Sequence, residues 1–534
     1  MISLSIDRAT IQMLSLVTLL VVAAFLRLYQ LGAESFWTDE VTMMYATHSG
    51  MEGVMQEIYG GRPSLFVILG YHWLNIFGTT EFSARLLSVV CGTAAVMALY
   101  QVGKELFNHR VGFIAAIIMT FVEFHVYQSQ NYRYYAVYMI VMLLSFLYLN
   151  RYLRTGKKIY LIPYVAASIL TFYAHGHGML VVFGQGVFFL LQIWRYRPRI
   201  VYWIISEIVI FAGILPGLFI TFRDFFSAQT DTASGMFTPA TWIDLPTPFS
   251  LVRSLVRFIF YTPNYINFTI LMIAIGFIVA FTWIFIRHTG FRTWLSNIKL
   301  LPNSLKNSLA SDNKSLFFVL CWFVFPLILP FALSFIVAPM YVDRYVLAAS
   351  PAFYLLIAFT LYQFRRIVPE AIIVGALLIM LIPGLYTYYY QAPVNEQWRD
   401  IAAYLEQNEH SNDVLVIASN DDNRMMQIEQ SLDWYYRGNL PQCTIREDMT
   451  DDIERVQALE DCIQGYDRVW VTALRWNGDA AFFGKLPPFF AGLDQAYNVS
   501  EHRSYTKSVL YLFEPAKATS AQVLKHIEVL GQTD

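Results

Sequence analysis

The sequence predicts a polytopic, all-α membrane domain followed by a small α/β domain outside the membrane. Three observations carry that prediction. Of its 534 residues, 56% are hydrophobic and only 14% are charged, against roughly 25% charged in an ordinary soluble chain. Apolar runs of spanning length recur up to residue 390, and after Gln391 they shorten while charged residues become frequent. Aromatic residues reach 16%, and many Tyr and Trp sit near the ends of apolar runs, where a membrane interface favours amphipathic rings. The formal net charge of -2 says little about partners, and no basic patch points to nucleic acid.

A spanning helix needs about 20 mostly apolar residues. Runs that meet or approach this lie near residues 10–30, 85–103, 111–127, 134–150, 159–175, 178–194, 201–221, 268–287, 316–337, 346–363 and 370–390, which makes about eleven spans. The first run is long and lacks a small-residue cleavage pattern, so it reads as a retained span. The segment 63–78, "PSLFVILGYHWLNIFG", is ambiguous, and charge decides it. Cytoplasmic loops collect Lys and Arg. If 63–78 does not cross and the N-terminus is inside, the clusters at Lys104 and Arg110, Arg151 to Lys158, Arg195 to Arg199, Arg287 to Lys314, and Arg365 and Arg366 all fall inside. The segment then becomes a juxtamembrane helix in a first outer loop at 31–84. Its His72, Trp73 and Asn75 suit an interface. A second outer region, 222–265, is rich in Thr, Pro and Ser and ends on "SLVRSLVRFIFY". There Arg253 and Arg257 are four apart, on one face of an amphipathic helix.

The domain boundary is expected at 390/391, with residues 1–390 in the membrane and 391–534 outside the cytoplasm. In the second part "NEQWRDIAAYLEQN" and "DDIERVQALEDCIQ" read as helices. "DVLVIAS", "RVWVTAL" and "SVLYLFE" read as strands, the first two buried on both faces. About 140 residues are enough for a core of their own. Cys91 and Cys321 lie in apolar runs and read as packing residues. Cys443 and Cys462 lie in the polar part, where an oxidising compartment permits a disulfide.

Four polar constellations flank the outer ends of the spans. The first is Asp39-Glu40 in "ESFWTDEVTMMYATHSG". Thr38 suits a helix N-cap and the acids suit the helix dipole. Consecutive helical residues point about 100° apart, so one acid can face a cavity while the other binds a backbone, a metal or a neighbour. The second is "QSQNYRYYAVY". On a helix, Gln130, Arg133 and Tyr134 share a face, and Arg133 either clamps a phosphate or snorkels to the interface. The third is "YAHGHGM". On an extended segment His175 and His177 point the same way. With an acid from the first loop they offer ligands to a divalent metal, and without one they are two interfacial histidines. The fourth is "APMYVDRYVLAASPAF", where Asp343 and Arg344 need partners or water so close to a bilayer. Arg62 and Arg85, which bracket the juxtamembrane helix, are further candidates for an anion. Carboxylates and arginines around a greasy bundle suit an amphiphilic substrate with a lipid tail, an anionic link and a polar head.

These motifs, taken in order, resemble a known family. "FWTDE" after the first span is followed by "GRPSLFVILGYHWLNIFG", "EFSARLLSVVCGTAAVMALYQVGKELFNHRVGFIAAIIMT", "YQSQNYRYYAVYM", "FYAHGHGML" and "DRYVLAASPAFYLLIA". The chain resembles GT-C-fold glycosyltransferases of the protein O-mannosyltransferase and aminoarabinose-transferase type, glycosyltransferase family 39-like, over about residues 1–390. Where the family usually has a Pro-Pro pair before the juxtamembrane helix, Arg62 replaces the first proline. The resemblance implies transfer of a sugar from a polyprenyl-phosphate carrier to an acceptor (protein, lipid or glycan) on the outer face of the cell membrane. It maps the family's first-loop aspartate onto Asp39, with Glu40 completing the motif, and implies that outer arginines handle the donor phosphate. Arg133 and Arg344 are the first candidates, with Tyr134, Gln130 and Asp343 beside them. Rival readings are a flippase for lipid-linked sugars, which predicts inverted repeats and broken midplane helices not seen here, and a lipid-linked glycan polymerase or ligase.

Overall fold

The computed structural model describes residues 7–60, 64–227, 243–260, 314–364, 369–390, 395–418, 422–445, 452–474, 497–505 and 508–515. The chain divides into two compact units, Met1–Leu31 with Ala46–Gln391, and Gly32–Tyr45 with Ala392–Asp534.

The first unit is helical. Its elements are α1 (Arg8–Leu28), the end of α2 (Thr38–His48), α3 (Gly50–Tyr59), α4 (Ser64–Phe77), α5 (Glu81–Leu106), α6 (His109–Phe121), α7 (Glu123–Ser129), α8 (Tyr135–Thr155), α9 (Leu161–Ala174), α10 (Gly178–Leu191), α11 (Ile200–Ser227), α12 (Pro248–Arg257), α13 (Lys314–Leu333), α14 (Ser350–Phe364) and α15 (Glu370–Tyr390). Among the described residues, seven helices are long and apolar enough to cross a membrane, or eight if the bent pair α6–α7 is one span. The chain is a multi-pass membrane protein. Shorter apolar helices cover 64–77, 158–174 and 178–191. The run at 268–287 lies outside the described residues, as do Arg365 and Arg366.

Local chemistry sets several of these ends. Thr80 caps α5 by accepting the Ser83 N–H (3.2 Å), and Asn108 caps α6 by accepting from Arg110 and Val111 (3.0 and 3.2 Å), the usual use of a short polar side chain at an N-cap. Between α5 and α6, Gly103 and Gly112 bring two backbones together. A Cβ on Gly112 would stand 2.5 Å from the Tyr100 carbonyl oxygen.

One expectation is corrected here. The apolar run 111–127 is not a straight span, because α6 and α7 meet at 66°. Arg27, fully buried at the end of α1, braces the bend. It donates to the Met119 carbonyl of α6 (3.0 Å), to Ser129 Oγ of α7 (3.1 Å) and to Ala23 O (3.1 Å). A bend frees carbonyls that a straight helix would pair, and a buried guanidinium needs acceptors.

The second unit holds the start of α2 and an α/β fold. β1 (Asp413–Ala418), β2 (Gln442–Ile445), β3 (Arg468–Leu474), β4 (Tyr497–Tyr505) and β5 (Ser508–Pro515) form one sheet in the order β2-β1-β3-β5-β4. β1 runs parallel to both β2 and β3, while β5 is antiparallel to β3 and β4. α16 (Trp398–Asn408) and α17 (Asp422–Tyr435) contribute Trp398, Ile401, Leu405, Ile428 and Leu432 to one face, against Leu415, Ile417 and Trp470. α18 (Asp452–Ile463) covers Val414, Val416, Val469 and Val471 on the other. β1 and β3 are therefore buried on both sides, as their continuous apolar runs predict. The sequence reading missed β2, β4 and α17.

Cys443 and Cys462 form a disulfide between β2 and α18 across 19 residues. Closing a loop of that size removes about 3 kcal/mol of unfolded-chain entropy. Replacing both cysteines by serine is expected to lower stability by about that amount, read as lower resistance of the full chain to urea and protease. Asp413, at the start of β1, accepts two bonds from the Arg468 guanidinium (2.8 and 2.6 Å), one from Trp470 Nε1 (2.9 Å) and one from the His410 N–H (2.8 Å). Burial raises the carboxyl's pKa, but Arg468 and the other donors outweigh it, and the net position is below the ordinary range. Its stabilisation is then complete above the unfolded value near 4 and is lost as pH falls through the lower folded value. Asp413→Asn is expected to flatten the acid limb of the unfolding curve below about pH 4, as followed by urea unfolding across pH.

Candidate active site

Asp39 and Glu40 lie in the first turn of α2, within the second unit. The helix starts at Thr38, so the cap position is Trp37 and not Thr38. The Trp37 carbonyl accepts from the Glu40 and Val41 N–H groups (2.8 and 3.0 Å), and the Trp37 N–H donates back to Glu40 Oε2 (3.3 Å). That is the reaching-back half of a capping box, with Glu at the third helical position. Glu40 is fully buried, while Asp39 is half-buried. The two acids divide as consecutive helical residues must, with Glu40 on the backbone.

The segment before α2 is tied to residues almost four hundred positions later in the same unit. The Thr38 N–H donates to Glu396 Oε2 (3.1 Å), the Phe36 N–H to the Tyr435 hydroxyl (2.6 Å), and Ser35 Oγ to the Glu396 carbonyl (2.7 Å). The Asn395 N–H donates to Glu34 Oε2 (3.3 Å), and the Arg399 guanidinium to the Ala33 carbonyl. Trp434 meets Phe36 and Tyr45 edge-on, with centroids 6.3 and 5.7 Å away. No sequence signal singled out Glu396 or Tyr435.

In the first unit, the motifs around Arg133, His175 and Arg344 come together. Residues 130–134 are the turn between α7 and α8, not a helix, so the shared helical face expected for Gln130, Arg133 and Tyr134 is not formed. The Gln130 amide instead donates to the carbonyls of Arg27 (3.0 Å) and Tyr29 (2.8 Å), and its oxygen accepts from the Tyr388 hydroxyl (2.7 Å). Gln130 is thus a strut that fixes the turn, and the turn presents Arg133. The Arg133 guanidinium carbon lies 4.9 Å from the Tyr134 ring centre, and Arg344 lies 5.7 Å from that of Tyr345.

His175 and His177 link these two arginine-bearing segments. His175 ends α9 in an extended conformation and His177 precedes α10. Their rings are 5.0 Å apart, and the His177 N–H donates to His175 Nδ1 (3.0 Å). The turn needs Gly178, where a Cβ would sit 2.3 Å from the Thr171 carbonyl oxygen. Tyr134 and Tyr138 lie 5.2 Å from the His175 ring, and Tyr345 lies 5.2 Å from His175 and 5.5 Å from His177. Both Arg133 and Arg344 are close enough to act electrostatically on His175 and on Tyr135. The result is two guanidinium groups in a wall of tyrosine and imidazole. Arg133 and His175 are buried, while Arg344 and Tyr345 are half-buried.

Asp343 faces a different task. It pairs with Arg253 (3.2 Å) and Arg257 (2.8 Å) of α12 and accepts from Ser254 Oγ (2.5 Å). The two arginines do share a face of α12, and that face anchors the 343–344 segment. Arg85 is buried in α5 and donates to the Leu31 carbonyl (3.0 Å). Arg62 lies outside the described residues. A metal centre does not assemble from the predicted ligands. Among the described residues no three His, Cys, Asp or Glu come close enough to hold an ion, and the His175 Nδ1 already accepts a backbone N–H, which leaves fewer donors than the three or four protein ligands of a usual site.

Residues 65–220 match the family model described as dolichyl-phosphate-mannose-protein mannosyltransferase. No curated protein matches the chain by sequence. Among solved structures, it is similar to ArnT from Cupriavidus metallidurans bound to undecaprenyl phosphate. That match has 12% identity and a TM-score of 0.51, and covers 93% of this chain and 97% of that one. The apo state of ArnT matches with the same identity and TM-score over 95% and 98%. The oligosaccharyltransferase AglB from Archaeoglobus fulgidus, in complex with an inhibitory peptide and a dolichol-phosphate, matches at 12% identity and a TM-score of 0.46, over 96% and 77%. The fold is the one seen in ArnT, and the family model over residues 65–220 agrees with the resemblance drawn from the motifs.

Proposed function

We propose that this GT-C-type chain transfers a sugar from a polyprenyl-phosphate carrier to an acceptor hydroxyl outside the cytoplasm. The observation that carries the reading is that the segments bearing Arg133 and Arg344 both meet His175, through Tyr134 and Tyr345, in a wall of tyrosine and histidine at the ends of apolar helices. Two planar guanidinium groups suit a phosphate by paired N–H donors, and the aromatic faces suit the apolar face of a sugar. Undecaprenyl phosphate bound to a protein of the same fold supports a donor of that class.

In the proposed reaction Asp39 is the general base. It takes the proton as the acceptor oxygen attacks the anomeric carbon. The bond from that carbon to the phosphate oxygen breaks, its electron pair leaves with the lipid phosphate, and configuration inverts in one displacement. The leaving phosphate needs no proton but does need its charge stabilised, which is the task of Arg133 and Arg344. The Cys443–Cys462 disulfide supports an extracytoplasmic C-terminal domain, since such bonds persist in oxidising compartments.

The test is sugar transfer in proteoliposomes, with radiolabelled polyprenyl-phosphate sugars and an extract of cell-envelope acceptors. Label moving from lipid to acceptor supports the proposal. Labelled lipid crossing the bilayer without transfer overturns it in favour of a flippase.

A further inference from the structure

We infer that Glu396 is a positioning residue for Asp39, and that the C-terminal α/β region contributes to the reaction by holding the chain that bears the base. The inference rests on the reading of Asp39 as base. Residues 33 to 37 run into α2 as irregular chain, which by itself has many conformations. Here nearly every residue of the stretch is tied. The N–H groups of Phe36, Trp37 and Thr38 donate in succession to Tyr435, Glu40 and Glu396. The Ala33 carbonyl, the Glu34 carboxylate and the Ser35 hydroxyl are bonded to Arg399, Asn395 and Glu396. Glu396 is the centre of the set, because its carboxylate holds the residue before Asp39 and its carbonyl holds Ser35. It is buried, with 5% of its surface exposed. It meets the first N–H of α2, where a helix has unpaired donors and favours a negative charge. A base must be held within a fraction of an ångström, and a shift of about 1 Å costs on the order of 10²-fold in rate.

The experiment compares Glu396→Ala, Glu396→Gln and Asp39→Asn in the full-length protein. Amide hydrogen exchange of the peptide spanning residues 33–41 needs no donor. In Glu396→Ala it is expected to speed up there, with the thermal midpoint unchanged. Transfer from a radiolabelled polyprenyl-phosphate mannose is expected to fall about 10- to 100-fold in kcat with donor KM unchanged. Glu396→Gln keeps an acceptor oxygen for the Thr38 N–H and is expected to restore most of both. Unchanged exchange in Glu396→Ala overturns the inference. So does faster exchange with normal kcat when Asp39→Asn is inactive. An Asp39→Asn protein that keeps its turnover overturns the base reading instead, and is told apart because the exchange still responds to Glu396.

Discussion

Asp39→Asn is expected to lower sugar transfer by about 10²–10⁴-fold, the usual contribution of a positioned general base, and to leave the fold intact. The amide matches the carboxylate in shape but has no basic oxygen to take the acceptor proton. The fold should survive because Glu40 is the buried acid that holds the Trp37 N–H, whereas Asp39 is half-buried. Glu40→Gln makes the contrast, since its amide oxygen still accepts that N–H and most activity should remain. Initial rates in proteoliposomes, at equal protein and with matched melting curves, decide it. Turnover near the wild-type rate in Asp39→Asn removes Asp39 from the chemistry.

Arg133→Ala and Arg344→Ala are each expected to lower kcat by about 10²–10³-fold, the range for losing one preorganised donor to a developing negative charge. Lysine should restore little, since it offers a point charge in place of a planar fork. The neighbouring Asp343 provides the internal comparison. It pairs with Arg253 and Arg257, so Asp343→Asn should act on packing of the 343–344 segment and be visible as a lower melting temperature. Arg133→Ala and Arg344→Ala with kcat intact would assign the cluster to packing alone.

The membrane half was legible because its signal is one-dimensional. Twenty apolar residues in a row can only be buried in lipid or protein, and each described run that reads this way is helical. The strands β1 and β3 were legible for the same reason. β2 and β4 were not: β2 has four residues of mixed burial, and β4, "YNVSEHRSY", carries charge on a sheet edge. The motif residues were legible as types, and their arrangement was not. Gln130, Arg133 and Tyr134 have helical spacing, yet α7 stops at Ser129 and the five residues before α8 form a turn. There Arg27 donates to Ser129, and Gln130 to the Arg27 and Tyr29 carbonyls, bonds to residues about a hundred positions away in sequence. Arg27 did carry a signal, as a cation inside an otherwise apolar run, where charge is costly and so has a task.

What the sequence determined by itself was the class of solvent each part meets, the helical runs, the charge bias of the loops and the motif order that resembles a GT-C enzyme. Tertiary structure alone decided which side chains meet. It brought the segments bearing Arg133 and Arg344, more than two hundred residues apart, against the same histidine, His175, and it gave Thr38 a partner in Glu396. Periodicity reports the environment of one segment at a time, averaged over its neighbours. A hydrogen bond or a guanidinium–ring contact depends on positions known to tenths of an ångström, and only the packed chain defines those.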